Sequence, residues 1–197
     1  MSESSHNDII ESTPFNQPPS WAREAIWYQI FVERFRNGNP ANNPTRETCY
    51  NALIDPIPED WHLTPWGYNW YRQEDWAKKT GLDFYRTVQM RRYGGDLDGV
   101  IEKIPYLVEL GITAFYFNPL NDAPSLHKYD ARHYHHIDIT FGDDPEGDLR
   151  LMSQEKHDDP TTWKWTSADR KFLELVRKLH DHHIRVILDY SWNHTGT

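Results

Sequence analysis

The chain has 197 residues, a formal net charge of −9 and one cysteine, Cys49. This length suits a single ordinary domain, and an acidic balance without a basic run argues against nucleic acid as a partner. One cysteine excludes an intrachain disulfide, and no apolar stretch approaches the roughly 20 residues that a membrane span requires.

The first 24 residues are predicted to form a leader or strap that precedes the domain at residues 25–197. Residues 1–20 are polar and contain Pro14, Pro18 and Pro19, which disfavour regular structure. The amino terminus shows neither the basic region nor the apolar region of a secretory signal. We therefore expect a soluble, cytoplasmic protein.

Three apolar runs predict buried strands of a parallel sheet. They lie at residues 25–31, 112–120 and 186–188, and each is rich in β-branched or aromatic side chains. Each run ends at polar residues that can begin a loop. The sequence thus predicts three strands whose carboxyl ends carry polar side chains.

Helical spacing connects these strands. Apolar residues recur at helical intervals over residues 100–108, with Gly111 as the stop and Pro105 as the start of a second, offset turn. Ser167 is predicted to cap an amphipathic helix with an apolar stripe over residues 172–179. Strand, helix, strand, helix, strand predicts an α/β fold with right-handed parallel connections.

Two long insertions interrupt this pattern, at residues 46–93 and 142–166. Loops of this length tend to be functional or to wrap their own domain. Both are rich in tryptophan, namely Trp61, Trp66, Trp70, Trp76, Trp163 and Trp165. Aromatic rings of this kind can stack on sugars, although most fill a core.

Polar side chains follow the third strand directly, at Asp189, Asn193 and His194. The carboxyl ends of buried parallel strands are where α/β folds bind ligands. The alternative is a strand end with Asn and Gly as turn formers. These residues alone do not separate the two interpretations.

A polar loop at residues 125–138 contains four His, two Tyr and two Asp. Its His spacing lacks the helical H-x-x-x-H pattern and the Cys partners of common zinc sites. A polar ligand pocket is the better functional interpretation, and a merely polar surface is the alternative.

The stretch N-G-N-P-A-N-N-P at residues 37–44 brings four asparagine amides into one bent loop. Amide, carboxylate and backbone oxygens are the ligands that calcium requires, but the spacing is not that of an EF-hand. A cluster of Asx turns without a metal is the alternative, and composition alone favours it.

Four stretches in this order resemble the α-amylase family (glycoside hydrolase family 13), nearest to its neopullulanase and cyclomaltodextrinase group. They are residues 25–44, 93–120, 125–142 and 185–196. The resemblance implies an incomplete (β/α)₈ TIM barrel, with about the first three strands and long βα loops, and a site at the carboxyl ends of the strands.

The resemblance also implies a sugar-binding role for five residues. Tyr129 matches the tyrosine that stacks on the sugar ring at the cleavage subsite, and His127 and Asp130 match its neighbours there. His194 matches a histidine that hydrogen-bonds hydroxyls of the same sugar. Asp189 matches the carboxylate after the third barrel strand that orients the catalytic arginine.

The asparagine loop resembles the calcium loop of cyclodextrin glucanotransferases. Asn37 stands where that group often has Asp, which leaves one carboxylate and predicts weaker calcium binding. Asn193 matches an asparagine that holds calcium in many family members. By this resemblance the loop's ligands would be Asn37, Asn39, Asn42, Asn43, Gly94 and Asp96.

The activity implied is retaining hydrolysis of α-glucans: maltooligosaccharides from starch, pullulan or cyclodextrins. An aspartate nucleophile and a glutamic acid perform it. The family's motif order places this pair after residue 197, so we expect no catalytic residue here and an inactive amino-terminal fragment. The alternatives are a non-catalytic glucan-binding module and a fragment of an α-glucan transglycosylase.

Overall fold

The computed structural model describes residues 17–49 and 52–196. All three predicted strands are present, as β1 (Trp27–Ile30), β2 (Ala114–Phe117) and β5 (Arg185–Leu188), and they form a parallel sheet in the order β1-β2-β5. Only β2 is largely buried as predicted, because most residues of β1 and β5 are half-buried or exposed. Trp27 pairs with Ala114, which pairs with Arg185. The three strands therefore end at one level, and the polar residues that follow them share one edge of the sheet.

Two further strands are present, and the second of them lies in the stretch that we predicted as a polar loop. They are β3 (Asn121–Asp122) and β4 (His133–Ile137), which pair antiparallel with an irregular register. Arg132 forms a bidentate ion pair with Asp122 at 3.0 and 3.1 Å. This largely buried pair closes the hairpin at the base of the segment 123–131.

The helices of the described residues are short, with one exception of 15 residues. They are α1 (Ser20–Glu24), α2 (Asp75–Lys78), α3 (Phe84–Thr87), α4 (Leu97–Glu102), α5 (Ile104–Glu109), α6 (Pro145–Met152) and α7 (Ser167–Asp181). None of them is long and apolar enough to cross a bilayer.

The predicted break in the helix after β1 is present. Helix α4 ends at Glu102 and α5 begins at Ile104, with Pro105 in its first turn, where the missing N–H costs no helical hydrogen bond. Gly111 ends the pair with a positive φ of 77°, a conformation that glycine adopts without strain.

The cap of helix α7 differs by one residue from the prediction. Thr166, not Ser167, is the N-cap: its side chain accepts from Asp169 N at 3.0 Å, while Asp169 accepts from Thr166 N at 3.0 Å. Ser167 instead donates through both its N–H and its hydroxyl to Asp148 of α6, at 2.7 Å each. Because Asp148 accepts both hydrogen bonds of Ser167, this serine connects helices α6 and α7 and does not cap α7.

The main core lies between the sheet and helices α4, α5 and α7. Each fully buried Leu or Phe contributes about 1.5–3 kcal/mol relative to exposure. The completely buried apolar residues of this core include Leu97, Val100, Leu107, Phe115, Phe117, Leu175 and Leu179. Within the described residues β5 pairs only with β2, so its outer edge is open.

The insertion at residues 46–93 has a small core of its own. Trp76 and Met90 are completely buried there, and the Trp61 indole donates to Met90 O at 3.0 Å. Arg91 and Glu74 form a buried ion pair at 2.5 Å. The apolar cluster consists of Cys49, Ile54, Trp61, Trp76, Ala77 and Met90.

Most of the predicted leader, residues 1–16, lies outside the described residues. Residues 20–24 form helix α1, whose Trp21 packs on Trp27 of β1 with ring centroids 5.9 Å apart. The Arg185 guanidinium lies 4.7 Å above the Trp21 ring. Helix α1 is therefore attached to the amino-terminal end of the sheet.

Candidate functional site

One chain of hydrogen bonds connects the carboxyl ends of all three parallel strands. Gln29 of β1 donates to Asn118, which follows β2, at 2.9 Å. Asn118 donates weakly to the Tyr129 hydroxyl at 3.5 Å, and that hydroxyl donates to Asp189, which follows β5, at 2.7 Å. Two of the five predicted sugar-binding residues, Tyr129 and Asp189, are thus in direct contact across 60 residues of sequence.

The Tyr129 hydroxyl is held in its protonated form. Burial, and then the hydrogen bond to Asp189, raise the pKa of Tyr129 to about 12. Burial and Asp189 also raise the pKa of Tyr116 on β2. At neutral pH the phenol therefore acts as a fixed donor to the carboxylate, and this contact fixes the position of the Tyr129 ring.

A tight turn presents His127, Tyr129 and Asp130 together. Lys128 adopts a positive φ of 59°, which reverses the chain between His127 and Tyr129. The Ser125 hydroxyl lies 3.1 Å from His127 Nδ1 and donates to the Asp130 carboxylate. Burial lowers the pKa of His127, so its ring is neutral at pH 7 and can accept from the Tyr129 N–H at 3.1 Å.

A buried ion pair between Lys128 and Asp138 anchors this turn. The two side chains are 2% and 7% exposed, and the Lys128 ammonium also lies 4.9 Å from the Phe141 ring centroid. Burial acts to raise the pKa of Asp138, but Lys128 and the Thr140 hydroxyl and N–H hold it below its ordinary value. The turn that carries Tyr129 is therefore attached to the core by a charge pair.

His194 approaches the same turn through the backbone. Gly196 N donates to Ala131 O at 2.8 Å, and a Cβ on Gly196 would lie only 2.1 Å from Asp130 O. The exposed His194 ring contacts Asn193 at 2.8 Å and Ser191 at 3.2 Å, rather than Tyr129 or Asp189. The structure thus brings the segment that carries His194 to the site, but the imidazole lies at the exposed rim of the site, without contact to Tyr129 or Asp189.

The six residues predicted from the calcium loop lie together on two adjoining segments. Asn37 donates to the Asn43 amide oxygen at 2.6 Å. Gly94, with a φ of 76°, passes so close that a Cβ there would lie 2.5 Å from that oxygen. Only glycine satisfies both the backbone conformation and the space.

Asp96 fastens this loop to helix α4. Its carboxylate accepts from the N–H groups of Gly38 at 3.1 Å, Asn39 at 2.9 Å and Gly99 at 2.6 Å. Burial nevertheless raises the pKa of Asp96 above its ordinary value. Asp96 therefore acts as helix cap and loop clamp at once.

The amide oxygens of this loop are satisfied unequally. Asn39 forms an Asx turn by accepting from Ala41 N at 3.1 Å, as the alternative interpretation of the sequence requires. The side-chain oxygens of Asn37 and Asn42, by contrast, are buried and have no hydrogen-bond partner. Unsatisfied buried oxygens of this kind fit a hard cation, since they offer the ligand atoms that calcium uses.

A second cluster of polar side chains was missed by sequence reasoning. His135 and His136 of β4 meet Glu155, which comes from the insertion at residues 142–166, and their ligand-type atoms lie within 4.8 Å of one another. The two histidines belong to the loop for which His spacing disfavoured zinc. No spacing rule connects them with Glu155, because only the fold of the insertion brings it there.

Comparisons with known proteins relate the sequence of this chain to one enzyme family. The model of the alpha amylase catalytic domain matches residues 29–160. The chain is 36% identical to neopullulanase 2 of Thermoactinomyces vulgaris over 90% of its length, and 34% identical to a cyclomaltodextrinase of Geobacillus thermopakistaniensis over 91%. It spans 21% of the length of each of these relatives.

A solved structure agrees with this. The cyclic alpha-maltosyl-(1→6)-maltose hydrolase of Arthrobacter globiformis, in complex with maltose, superposes with a TM-score of 0.57 at 26% identity. The match covers 90% of this chain and 27% of that one.

Proposed function

Because this chain belongs to the alpha-amylase family, we propose that it forms the glucose-binding floor of an enzyme that hydrolyses α-glucans. Membership of this family implies a TIM-barrel fold, and the three-stranded parallel sheet is consistent with part of such a barrel. The observation that carries the proposal is the hydrogen bond between Tyr129 and Asp189, which joins polar groups at the carboxyl ends of the strands.

The residues of this chain bind and orient rather than react. The Tyr129 ring supplies a flat face for a pyranose, and Asp189 keeps it in place. His127, Asp130 and His194 line the rim and offer hydrogen bonds to sugar hydroxyls. Retaining cleavage requires a carboxylate nucleophile and a carboxylic acid, and we propose that residues outside this chain supply both.

The substrate class follows from the relatives. Their names specify neopullulanase, cyclomaltodextrinase and maltogenic amylase activities, so maltooligosaccharides, pullulan and cyclodextrins are the candidates. One relative is named an intracellular maltogenic amylase, and we extend that location to this chain as a cytoplasmic assignment.

The test is a titration of the purified chain with maltohexaose, followed by tryptophan fluorescence. Tyr129→Ala is expected to weaken binding at least about tenfold, because loss of a buried aromatic contact is worth roughly 1.5–3 kcal/mol. Tyr129→Phe keeps the ring but loses the hydroxyl that contacts Asp189, so its effect should be smaller. Tyr85→Ala, at a site that is 81% exposed in the insertion, is the matched control.

Equal affinities of the parent and Tyr129→Ala would contradict this site. Saturable binding without any turnover of maltodextrin, pullulan or cyclodextrin is the result we expect of the chain by itself. Turnover by the purified chain above a vector control would show that the reacting carboxylates lie within these residues.

We also propose a calcium ion at the asparagine loop. Asn37, Asn39, Asn42, Asn43, Gly94 and Asp96 would hold it through amide, carboxylate and backbone oxygens. Support comes from the two buried, unpartnered oxygens of Asn37 and Asn42. With one carboxylate in the set, binding should be weaker than in loops with two.

Calcium should therefore stabilise the folded chain by about 2.7 kcal/mol at a concentration of 100 times Kd. The melting temperature should rise with calcium concentration, and a chelator should reverse the rise. Asn37→Ala should abolish the shift, whereas Asn69→Ala, in an exposed turn of the insertion, should not. A melting temperature that does not respond to calcium, or responds equally in Asn37→Ala, would exclude the ion.

A further inference from the structure

The cluster of His135, His136 and Glu155 lies where strand β4 meets the second insertion. Glu155 Oε2 is 3.2 Å from His135 Nε2 and 2.8 Å from His136 Nε2. The Glu155 and His136 side chains are only 3% and 2% exposed, and that of His135 is 20% exposed. Two imidazole nitrogens and one carboxylate oxygen thus converge on one point from two separate segments of the chain.

Neighbouring groups fix the orientation of all three side chains. The Asp169 carboxylate lies 2.8 Å from His136 Nδ1, which directs Nε2 toward Glu155. The other Glu155 oxygen accepts from Lys164 N at 2.6 Å. The His135 ring stacks on Trp163, with centroids 3.8 Å apart and planes at 12°. A carboxylate behind a histidine is the arrangement that sets the tautomer of metal-binding imidazoles.

The charge balance of the cluster also suits a divalent cation. Glu155 and Asp169 bring two negative charges into a largely buried region. Across residues 17–49 and 52–196, their ion-pair partners are His135 and His136 rather than Lys or Arg. With both imidazoles neutral, one divalent ion would neutralise both carboxylates. A protonated His136 between the two carboxylates would leave one negative charge uncompensated.

We propose that His135, His136 and Glu155 bind a divalent transition-metal ion of the Zn²⁺ class. Two nitrogens and one carboxylate oxygen with an open fourth position form the ligand set of many zinc sites. A cavity of about 260 Å³, lined by His135, His136, Trp163, Lys164, Trp165 and Asp169, adjoins the cluster and leaves room for a water or a ligand in that position.

This site differs in chemistry from the asparagine loop. Calcium and magnesium take oxygen ligands, whereas imidazole selects zinc, copper, nickel or iron. Because Glu155 and Trp163 belong to the insertion and the histidines belong to β4, the ion would fasten the insertion to the hairpin that carries Tyr129. Its loss should loosen residues 153–166 without removing any proposed sugar contact.

The proposal is tested by calorimetric titration of the metal-stripped chain with Zn²⁺ in excess calcium. The parent should bind one ion per chain. His135→Asn and Glu155→Gln should each weaken Zn²⁺ binding by more than about 100-fold. Even the loss of a residue that only hydrogen-bonds to a metal ligand lowers metal affinity by about 10–100-fold. Gln retains an acceptor for Lys164 N, so Glu155→Gln keeps the local fold.

His183→Asn is the matched control for adventitious binding by surface histidines. His183 is exposed just after helix α7, and its positive φ of 59° suits asparagine. This variant should bind Zn²⁺ as the parent does. Substitution with Co²⁺ gives a second measurement, because a nitrogen- and oxygen-ligated ion of low coordination number absorbs visible light and the Glu155→Gln variant should lose that absorption.

Three outcomes would overturn the proposal. The parent could fail to bind Zn²⁺ saturably, which would leave His136 held only by its contacts with Glu155 and Asp169. Binding could survive in His135→Asn and Glu155→Gln, which would place the ion outside this cluster, or it could disappear in His183→Asn, which would place the ion at a surface histidine. Far-UV circular dichroism of each metal-free variant separates lost ligands from lost folding.

Discussion

Replacing Lys128 with Met should destabilise the chain by about 3–5 kcal/mol, because removing one partner of a buried ion pair leaves an uncompensated charge. Lys128 is 2% exposed and its partner Asp138 is 7% exposed. Methionine is similar to lysine in length, and neither side chain is branched at Cβ, so the positive φ of this position should affect both alike. The substitution therefore measures mainly the effect of removing the charge. Urea unfolding of the parent and the variant measures the difference.

The matched control removes both charges. In Lys128→Met combined with Asp138→Asn, the asparagine oxygen can still accept from Thr140 N, as Asp138 does at 3.0 Å. The double variant should recover a large part of the lost stability, because Asp138→Asn removes the carboxylate that Lys128 neutralised. If the double variant is as unstable as the single one, the loss comes from packing against Phe141 and not from the charge.

The pH dependence of the Lys128→Met variant gives a second check. In the parent, Lys128 holds the pKa of Asp138 below its ordinary value, so this stability is present above the unfolded pKa and disappears as pH falls. Without Lys128, burial should raise the pKa of Asp138. Burial already raises the pKa of Glu33, and losing Lys128, which acts with Arg92 to lower it, should raise it further. The gap between variant and parent should therefore be widest near neutrality, should narrow as pH falls toward about 4, and should close only below that pH, where the Asp138 carboxyl of the parent also becomes protonated.

Replacing Asp96 with Ala should cost about 2–4 kcal/mol, which combines a lost helix cap with buried donors left unpaired. Its carboxylate serves the N–H groups of Gly38, Asn39 and Gly99, and so connects helix α4 with the asparagine loop. Unfolding in urea with excess chelator isolates this structural effect from any bound calcium. The same variant should also lose the calcium-dependent rise in melting temperature.

Asp98→Ala is the matched control, two residues further along the same helix. Asp98 is partly exposed and forms an ion pair with Lys171 at 2.9 Å, an interaction worth at most about 1 kcal/mol near a surface. A similar loss of stability in both variants would mean that Asp96 contributes only negative charge at the start of α4. A much larger loss in Asp96→Ala supports the clamp.

The strands show how far local sequence determines the fold. Val186, Ile187 and Leu188 belong to a run that is apolar at every position, which favours a strand, and they form β5 although each of them is only half-buried. The sequence of strand β4, by contrast, does not predict a strand. His133–Ile137 is polar and does not alternate, so its pairing with Asn121 and Asp122 depends on the hairpin that Arg132 closes.

The candidate site was accessible from sequence only in part. The resemblance to the family named Tyr129, Asp189 and His194, but a hydrogen bond across 60 residues of chain exists only in the fold. It also named the asparagine loop, in which the structure leaves two amide oxygens buried without partners. Neither periodicity nor spacing could reveal that Glu155 reaches His135 and His136.

The sequence by itself determined the positions of the three parallel strands, the broken helix at Pro105 and the stop at Gly111, because each depends on the steric and solvation preferences of neighbouring residues. Only the tertiary structure decided the contacts of Tyr129 with Asp189, of Lys128 with Asp138 and of Glu155 with two histidines. These pairs hold polar groups away from water, where each charge or hydrogen bond must be satisfied by whatever distant residue the packed chain brings within about 3 Å.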